Sequence, residues 1–407
     1  MTSTWTKQKL GNLLTIKHGY AFKGQYFSNF GSHIVLTPGN FYDVGGFRRV
    51  IGKEKWYTGE IPREYVLSTN DLIVAMTEQG EGLLGSSALV PKDNLYLHNQ
   101  RIGLILENKE LIDRKLLFYL FNTEKVRKQI RGSANGSKVR HTSPKKIYDV
   151  EVCLPDLPTQ KKIASILSTY DDLIENNKKR IKILEEMAQQ LYTEWFVKFH
   201  FPGHEKVKLV DSHTSFGMIP EEWEVVSISK LAQFVNGYPF KPSELGTVGL
   251  PVVKIPELRS GILEKTPRNS GGNIAEKYRI KNGDILFSWS ATLLVNVWNS
   301  GDALLNQHLF NVISRKDIYK TYLYYVLKIL VDNLRGQVVG ATMQHLRKGV
   351  VENGEVLLPR ETILVKYNQQ ATSILETANN LSIKNQKLTS MRDLLIPQLI
   401  TGKREVK

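Results

Sequence analysis

Residues 125–146 read KVRKQIRGSANGSKVRHTSPKK, carrying Lys125, Arg127, Lys128, Arg131, Lys138, Arg140, Lys145 and Lys146 with no acidic residue among them. Cations at that density suit a polyphosphate, and a Gly/Ser/Asn-rich centre lets a backbone approach phosphates closely. His141 lies in the same stretch. A related stretch later in the chain keeps the loop and less of the charge, with Arg335, Gly336, Gly340, Thr342, Gln344, His345, Arg347 and Lys348. Gln and Arg are shaped to read adenine and guanine edges, whereas Lys positions a backbone. The plainer alternative is a solvated charged face.

Two further motifs recur. Gly-Tyr-x-Phe-Lys stands at 19–23 and 237–241, offering Tyr20 with Lys23 and Tyr238 with Lys241. An aromatic beside a lysine can stack on a base and hold its phosphate; the same residues equally suit a turn whose rings pack the core. Asn-Gln-Arg at 99–101 and Asn-Gln-His at 306–308 place Arg101 and His308 at equivalent positions. These amide-rich strand entries read as caps or as base-reading groups.

Groups for covalent chemistry do not assemble. The sequence has no Asn/Asp-Pro-Pro-aromatic motif, no Gly-rich cofactor loop and no Walker A lysine loop. Asp93 with Glu107 and Lys109 loosely resembles a nuclease set, but the second copy has Ser314, Arg315 and Lys316 there. His200 and His204 have a metal-ligand spacing without a Cys or acidic group to complete it. We expect no catalytic residue, no metal and no bound cofactor.

A chain of 407 residues suits two globular units with connectors, and 41% hydrophobic with 23% charged residues is ordinary for folded protein. Cys153 is the sole cysteine, so an internal disulfide is excluded and a reducing cytoplasm fits. No run reads as a signal peptide or approaches a membrane span. Net charge is +15, divided as +8 over residues 1–155, 0 over 156–218, +3 over 219–359 and +4 over 360–407. Nucleic acid is the partner class this favours.

The positioning elements come from a duplication. A shift of 218 lays Trp5 on Trp223, Leu13 on Leu231 and GYAFK on GYPFK. Residues 65–74 then match 278–287, 99–101 match 306–308, 116–121 match 322–327, and 136–155 match 340–359 without a gap. The order is kept over about 190 residues, and such periodicity decides the architecture. Each copy opens with short apolar runs (HIVLT, DLIVAM, RIGLIL; LPVVKI, DILFSW, HLFNVI) that read as strands, plus one amphipathic helix near 111–130 or 317–334. The result is an α/β (α+β) globule.

The last third of each copy has coiled-coil periodicity. One stripe holds Ile163, Ile166, Tyr170, Leu173, Asn177, Leu184, Met187 and Leu191, flanked by Leu167, Ile174, Ile181, Ala188 and Trp195. The second copy offers Ile374, Leu381, Asn385, Leu388 and Leu395, with Pro397 expected to end or kink the helix. Asn177 and Asn385 fall on equivalent positions, where a buried amide pair would fix register; both would otherwise sit on a solvated flank. Two such helices of about 54 Å pair antiparallel, with the globules related by a pseudo-twofold axis. The expected divisions are 1–155 and 219–359 for the globules, 156–196 and 360–407 for the helices and tail, and 197–218 for a linker.

That order resembles the specificity subunit of type I restriction-modification systems over essentially the whole chain. Trp5 with GYAFK, the run LPDLPTQKKIASILSTYDDLIENNKKRIKILEEMAQQLYTEWF at 154–196, GMIPEEWEV at 217–225 and their second-copy partners carry the likeness. The resemblance implies two target-recognition domains, each reading half of an asymmetric bipartite site on double-stranded DNA. It implies spacer helices that dock two modification subunits, which use S-adenosylmethionine, and restriction subunits that use ATP and Mg. Tyr170-Asp171-Asp172 is replaced by Ala378-Asn379-Asn380 in the second copy, a departure that bears on equal docking. A competing reading is a coiled-coil scaffold whose globules bind proteins, and a third is a stand-alone DNA enzyme.

Overall fold

The computed structural model describes residues 5–78, 82–136, 139–263, 265–290, 292–337 and 348–406, without the side chains of 335–337. Two compact units result: Met1–Ile174 with Leu388–Lys407, and Glu175–Lys387. Each unit therefore takes its globule together with a segment of both long helices.

In the first unit, Leu14–His18, Ile102–Glu107, Leu72–Ala75 and Ser87–Leu89 form an antiparallel sheet in that spatial order. Leu72–Ala75 is buried on both faces, and the period of two is visible in where its side chains go. Leu72 and Val74 join the core beneath the helices, while Ile73 and Ala75 join a core against the second sheet. That second sheet orders Phe27–Ser28, Trp56–Tyr57, His33–Val35 and Tyr96–Leu97, the last pair parallel. Thr6–Lys9 pairs with Glu151–Leu154 and closes the globule on itself.

The second unit repeats this wiring. Ala232–Asn236, Leu309–Ser314, Ile285–Ser288 and Leu294–Val297 take the same order, and Glu224–Ser227 pairs with Glu355–Leu358. Leu250–Val253 pairs parallel with Ala303–Leu305, as its counterpart does in the first unit. Ile285 and Phe287 face one core and Leu286 the other. The duplication read from the sequence is thus a duplication of topology.

Three local features differ from expectation. The single helix expected near 111–130 is two, Arg114–Phe121 and Glu124–Gly132. Asn122 and Thr123 break it: Thr123 Oγ1 accepts from Val126 N, an N-cap, and Asn122 Nδ2 turns back to the Phe118 carbonyl. The second unit has one uninterrupted helix there, Lys320–Gln337. The segment 197–218 is folded, with Phe201 buried and stacked on Trp223 and with Leu209–Asp211 paired to Met218–Pro220. Pro397 does not stop its helix at once: the helix runs Glu361–Ile400, so the proline lies inside its final turn, where it supplies no N–H to the carbonyl four residues back, and the helix ends three residues later.

The first long helix, Leu157–Tyr192, continues into a wider π turn at Thr193–Val197. In the first unit Ile163, Ala164 and Leu167 share a core with Leu399 and Ile400, while Arg392 Nη1 reaches Asp171 Oδ1 at 2.5 Å. In the second unit Asn177 Nδ2 donates to Asn385 Oδ1 at 2.8 Å, and Trp195 packs on Tyr367 at 5.9 Å. Rising numbers on one helix meet falling numbers on the other, so the segments pair antiparallel within each unit. The seam is rotated from the expected stripe: Ile166, Leu173 and Met187 are exposed, whereas the flanking Leu167, Ile174 and Ala188 are buried. Ile163 and Leu381 are buried as expected, and Leu184, Leu191, Ile374, Asn385, Leu388 and Leu395 are half-buried. The two apolar stripes sit one residue apart, and contact with the globules decides which one turns inward.

Candidate nucleic-acid interface

The duplicated motifs meet at one end of the large sheet. Tyr20 N donates to the His98 carbonyl and Gln100 N to the Tyr20 carbonyl; Tyr238 and the 305–307 turn repeat both bonds. Gly19 and Gly237 allow this, because a β-carbon at either would collide with the carbonyl of Asn99 or Asn306. Tyr20 packs on Phe22 and Tyr65, and Tyr238 packs on Phe240 and Tyr278. These tyrosines are half-buried in the same aromatic trio twice, so packing occupies their rings, while Lys23 and Lys241 are exposed. Asn99 Oδ1 accepts from Arg101 N and Asn306 Oδ1 faces His308 N, so the amides cap the turns and present Arg101 and His308 outward.

The basic stretch joins the same end in the first unit. Met76 N bonds the Arg101 carbonyl, and the Met76 carbonyl accepts from Thr142 N. Beyond it, Thr77–Glu78 pairs with Arg140–His141, and Thr77 Oγ1 lies 3.1 Å from His141 Nδ1. Arg101, Arg140 and His141 are therefore neighbours around one strand end, although about 40 residues part them in sequence. Lys145 is exposed on the short helix Pro144–Tyr148, and Lys146 bonds the Asn135 side chain at 2.7 Å. Arg131 is half-buried, and its carbonyl accepts from Arg140 Nη2 at 2.8 Å. Lys138, Thr342, Gln344, His345, Arg347 and the Arg335 side chain lie outside the described residues.

Not every cation of the stretch faces solvent. Arg127 is 2% exposed and donates to the carbonyls of Leu84, Gly82 and Asp43, which clamps the 82–85 turn. Burial pulls its pKa down to about 10, still far above neutrality, so the guanidinium stays charged. The stretch has no acidic residue of its own, yet Glu78 arrives from the sheet. Glu78 Oε2 accepts from Gly82, Leu83 and Leu84 N–H, and Oε1 lies 3.8 Å from Arg140 Nη1. Sequence inspection misses Glu78; its only trace is a carboxylate three residues after the fully apolar strand LIVA. Beside this site His98 is fully buried, its Nε2 2.8 Å from the Ile102 carbonyl, and burial lowers its pKa to about 4.

The His200 and His204 rings lie with centroids 5.3 Å apart at a 43° tilt, and His200 faces Glu194 at 3.0 Å. Among the described residues no group of three His, Cys, Asp or Glu is placed to hold a metal, and no helix is long and apolar enough to cross a membrane.

The family model for the type I restriction modification DNA specificity domain matches residues 2–186 and again 220–391. The chain belongs to this family. Each match covers one copy of the duplicated unit. The chain is 27% identical over 309 residues to the type I restriction enzyme MjaIX specificity subunit of Methanocaldococcus jannaschii, covering 74% of this chain and 71% of that protein. It is 25% identical over 373 residues to the HindI specificity subunit of Haemophilus influenzae, covering 75% and 81%. The fold is similar to that of the S subunit of a type I restriction-modification system from M. genitalium, with a TM-score of 0.61 at 14% identity over 100% of this chain and 97% of that one. The chain is a specificity subunit with two copies of the DNA specificity domain, and the scaffold-for-proteins reading is not favoured.

Proposed function

We propose that this chain is the non-catalytic DNA-reading subunit of a type I restriction-modification complex in a prokaryotic cytoplasm. Each recognition domain reads one half of an asymmetric, bipartite site. One observation carries the reading. The same strand-end platform is built twice, yet the groups it presents differ: Arg101 stands exposed on the first where His308 stands exposed on the second. Identical scaffolds with unlike tips suit two unlike half-sites, as a dimeric reader's identical tips suit a palindrome.

The partners in this proposal are two modification subunits and the restriction subunits. S-adenosylmethionine, ATP and Mg belong to those partners and not to this chain. Ile166, Leu173 and Met187, exposed on the first long helix, supply apolar surface for docking the modification subunits. Helix length sets the gap between half-sites.

Methylome sequencing of the host with and without the gene tests the proposal. The expected result is an adenine-methylated motif of two different halves and a fixed spacer that disappears with the gene. An unchanged methylome, or a motif without two halves, overturns it. The purified chain alone should bind duplex DNA in a salt-dependent manner and neither methylate nor cut it; methyl transfer by the chain alone also sinks it.

A further inference from the structure

Arg140 is held differently from an ordinary surface cation. Its side chain retains about a third of its exposure, with Nη2 spent on the Arg131 carbonyl at 2.8 Å and Nη1 facing Glu78 Oε1 at 3.8 Å. The strand register of Arg140 on Glu78 fixes where the side chain begins. A guanidinium has five N–H donors, and the Arg131 carbonyl takes one of them in a hydrogen bond, so four remain for a ligand. An arginine restrained on two flanks has already given up rotamer freedom that a free one loses on binding. A phosphate contact gains little from such restraint, because a mobile lysine serves. A planar, bidentate acceptor gains much, and the guanine edge with its O6 and N7 is that acceptor in duplex DNA.

Glu78 supports this from below. Burying a carboxylate to 2% exposure is costly, and three backbone N–H groups on Oε2 offset much of it. Those bonds alone would suffice to shape the 82–84 turn. Oε1 is buried with no hydrogen-bond partner and is turned toward Arg140. The second copy has Ala291 at the equivalent position, so the device belongs to the first domain alone.

We infer that Arg140 reads a guanine in the half-site of the first domain and that Glu78 is the positioning residue that aims it. This rests on the DNA-reading function proposed above. The test uses the assembled complex of this chain with its own modification subunits. In the wild-type complex, duplexes carrying 7-deazaguanine, which lacks the N7 acceptor, are placed at each guanine of each half-site in turn. One guanine in one half should lose affinity by roughly tenfold or more. In the host methylome of Arg140→Lys, that same position should become degenerate while the other half stays intact. Glu78→Gln, isosteric and still able to accept the three amides, should show the same degeneracy more weakly with unchanged thermal unfolding of the purified chain.

A first half-site without guanine on either strand overturns the inference, as does insensitivity to every 7-deazaguanine. So does an unaltered motif in Arg140→Lys, or a loss of affinity uniform across sequences, which marks a phosphate contact. If Arg140→Lys methylates nothing, the deazaguanine series on the wild-type complex decides. A wild-type host without any bipartite motif is a failure of the proposed function itself, and is distinguished in that way.

Discussion

The two units share strand order, register and even the aromatic trio beneath the Gly-Tyr turn, yet they differ where side chains complete that frame. Position 98 holds a buried histidine, and Leu305 takes its place in the second copy. In the first unit Tyr119, Asp171 and Arg392 form one hydrogen-bonded network; burial and the Asp171 carboxylate hold the Tyr119 proton far above the usual range. The second copy has Tyr325, Asn379 and Leu184 there, and the Tyr325 hydroxyl and Asn379 Oδ1 are buried without partners among the described residues. Net charge falls from +8 over 1–155 to +3 over 219–359. The two copies share the wiring and differ in polar groups and charge. Substitutions in shared wiring should therefore act alike in both units, and substitutions in the polar groups should act on one.

The largest one-sided effect is expected at Arg127. Arg127→Met would strip donors from three carbonyls of the first unit, the Leu84 carbonyl fully buried and the other two partly so, at about 1–3 kcal/mol for each group left unsatisfied. We expect a loss of about 4 kcal/mol, confined to the first unit. Hydrogen exchange resolves the two units, and equal loss of protection in both would contradict the clamp.

Gly19→Ala and Gly237→Ala probe the shared wiring. Each adds a β-carbon against a backbone carbonyl that no rotamer change relieves. Each should cost its own unit about 3 kcal/mol, the upper range for overpacking. The comparison sharpens if the two losses agree. A harmless Gly237→Ala would show that the second turn is not held as the first is.

His98 gives the comparison a pH axis. Its folded pKa is about 4, below the ordinary value near 6.5, so between those values the unfolded chain binds a proton that the folded chain refuses. The first unit should lose stability as pH falls from about 6.5 to about 4, by up to about 3 kcal/mol, and no further from this source below that. His98→Leu copies the second unit. It should flatten this part of the pH profile while costing about 1 kcal/mol at neutral pH for the lost bond to the Ile102 carbonyl. Chemical denaturation at a series of pH values measures both, and an unchanged acid limb would remove His98 as the cause.

Much of this frame was legible in the sequence. Repetition is a property of order, so GYAFK on GYPFK and the gapless match of 136–155 on 340–359 exposed two copies without any knowledge of packing. Short apolar runs between Gly and Asn turns placed the central strands, and a strand buried on both faces, with Ile73 and Val74 on opposite sides, needs such a continuous run. The seam was less legible: Ile166 and Leu167 are both apolar, and only the globule's surface decides between them. Glu78 and Arg140 lie 62 positions apart, and nothing local announces that a strand register joins them. The linker hid a fold because its Gly and Pro residues mark turns, while the burial of Phe201 depends on Trp223.

The smallest expected effect is also the test of how the second unit holds its helices in register. Asn177 is 5% exposed, and its amide donates to Asn385 at 2.8 Å. Asn177→Leu should cost about 1–2 kcal/mol, because Asn385 loses a buried donor and gains only a methyl group beside it. Asn177→Leu with Asn385→Leu should recover most or all of that, since an apolar pair suits a seam at least as well. A double-mutant cycle by urea denaturation reads the coupling directly. Additive single losses would mean that the amides act separately and fix no register. A coupling above about 1 kcal/mol, with a doubly substituted chain as stable as the parent, would show that the pair is kept for register at some expense in stability.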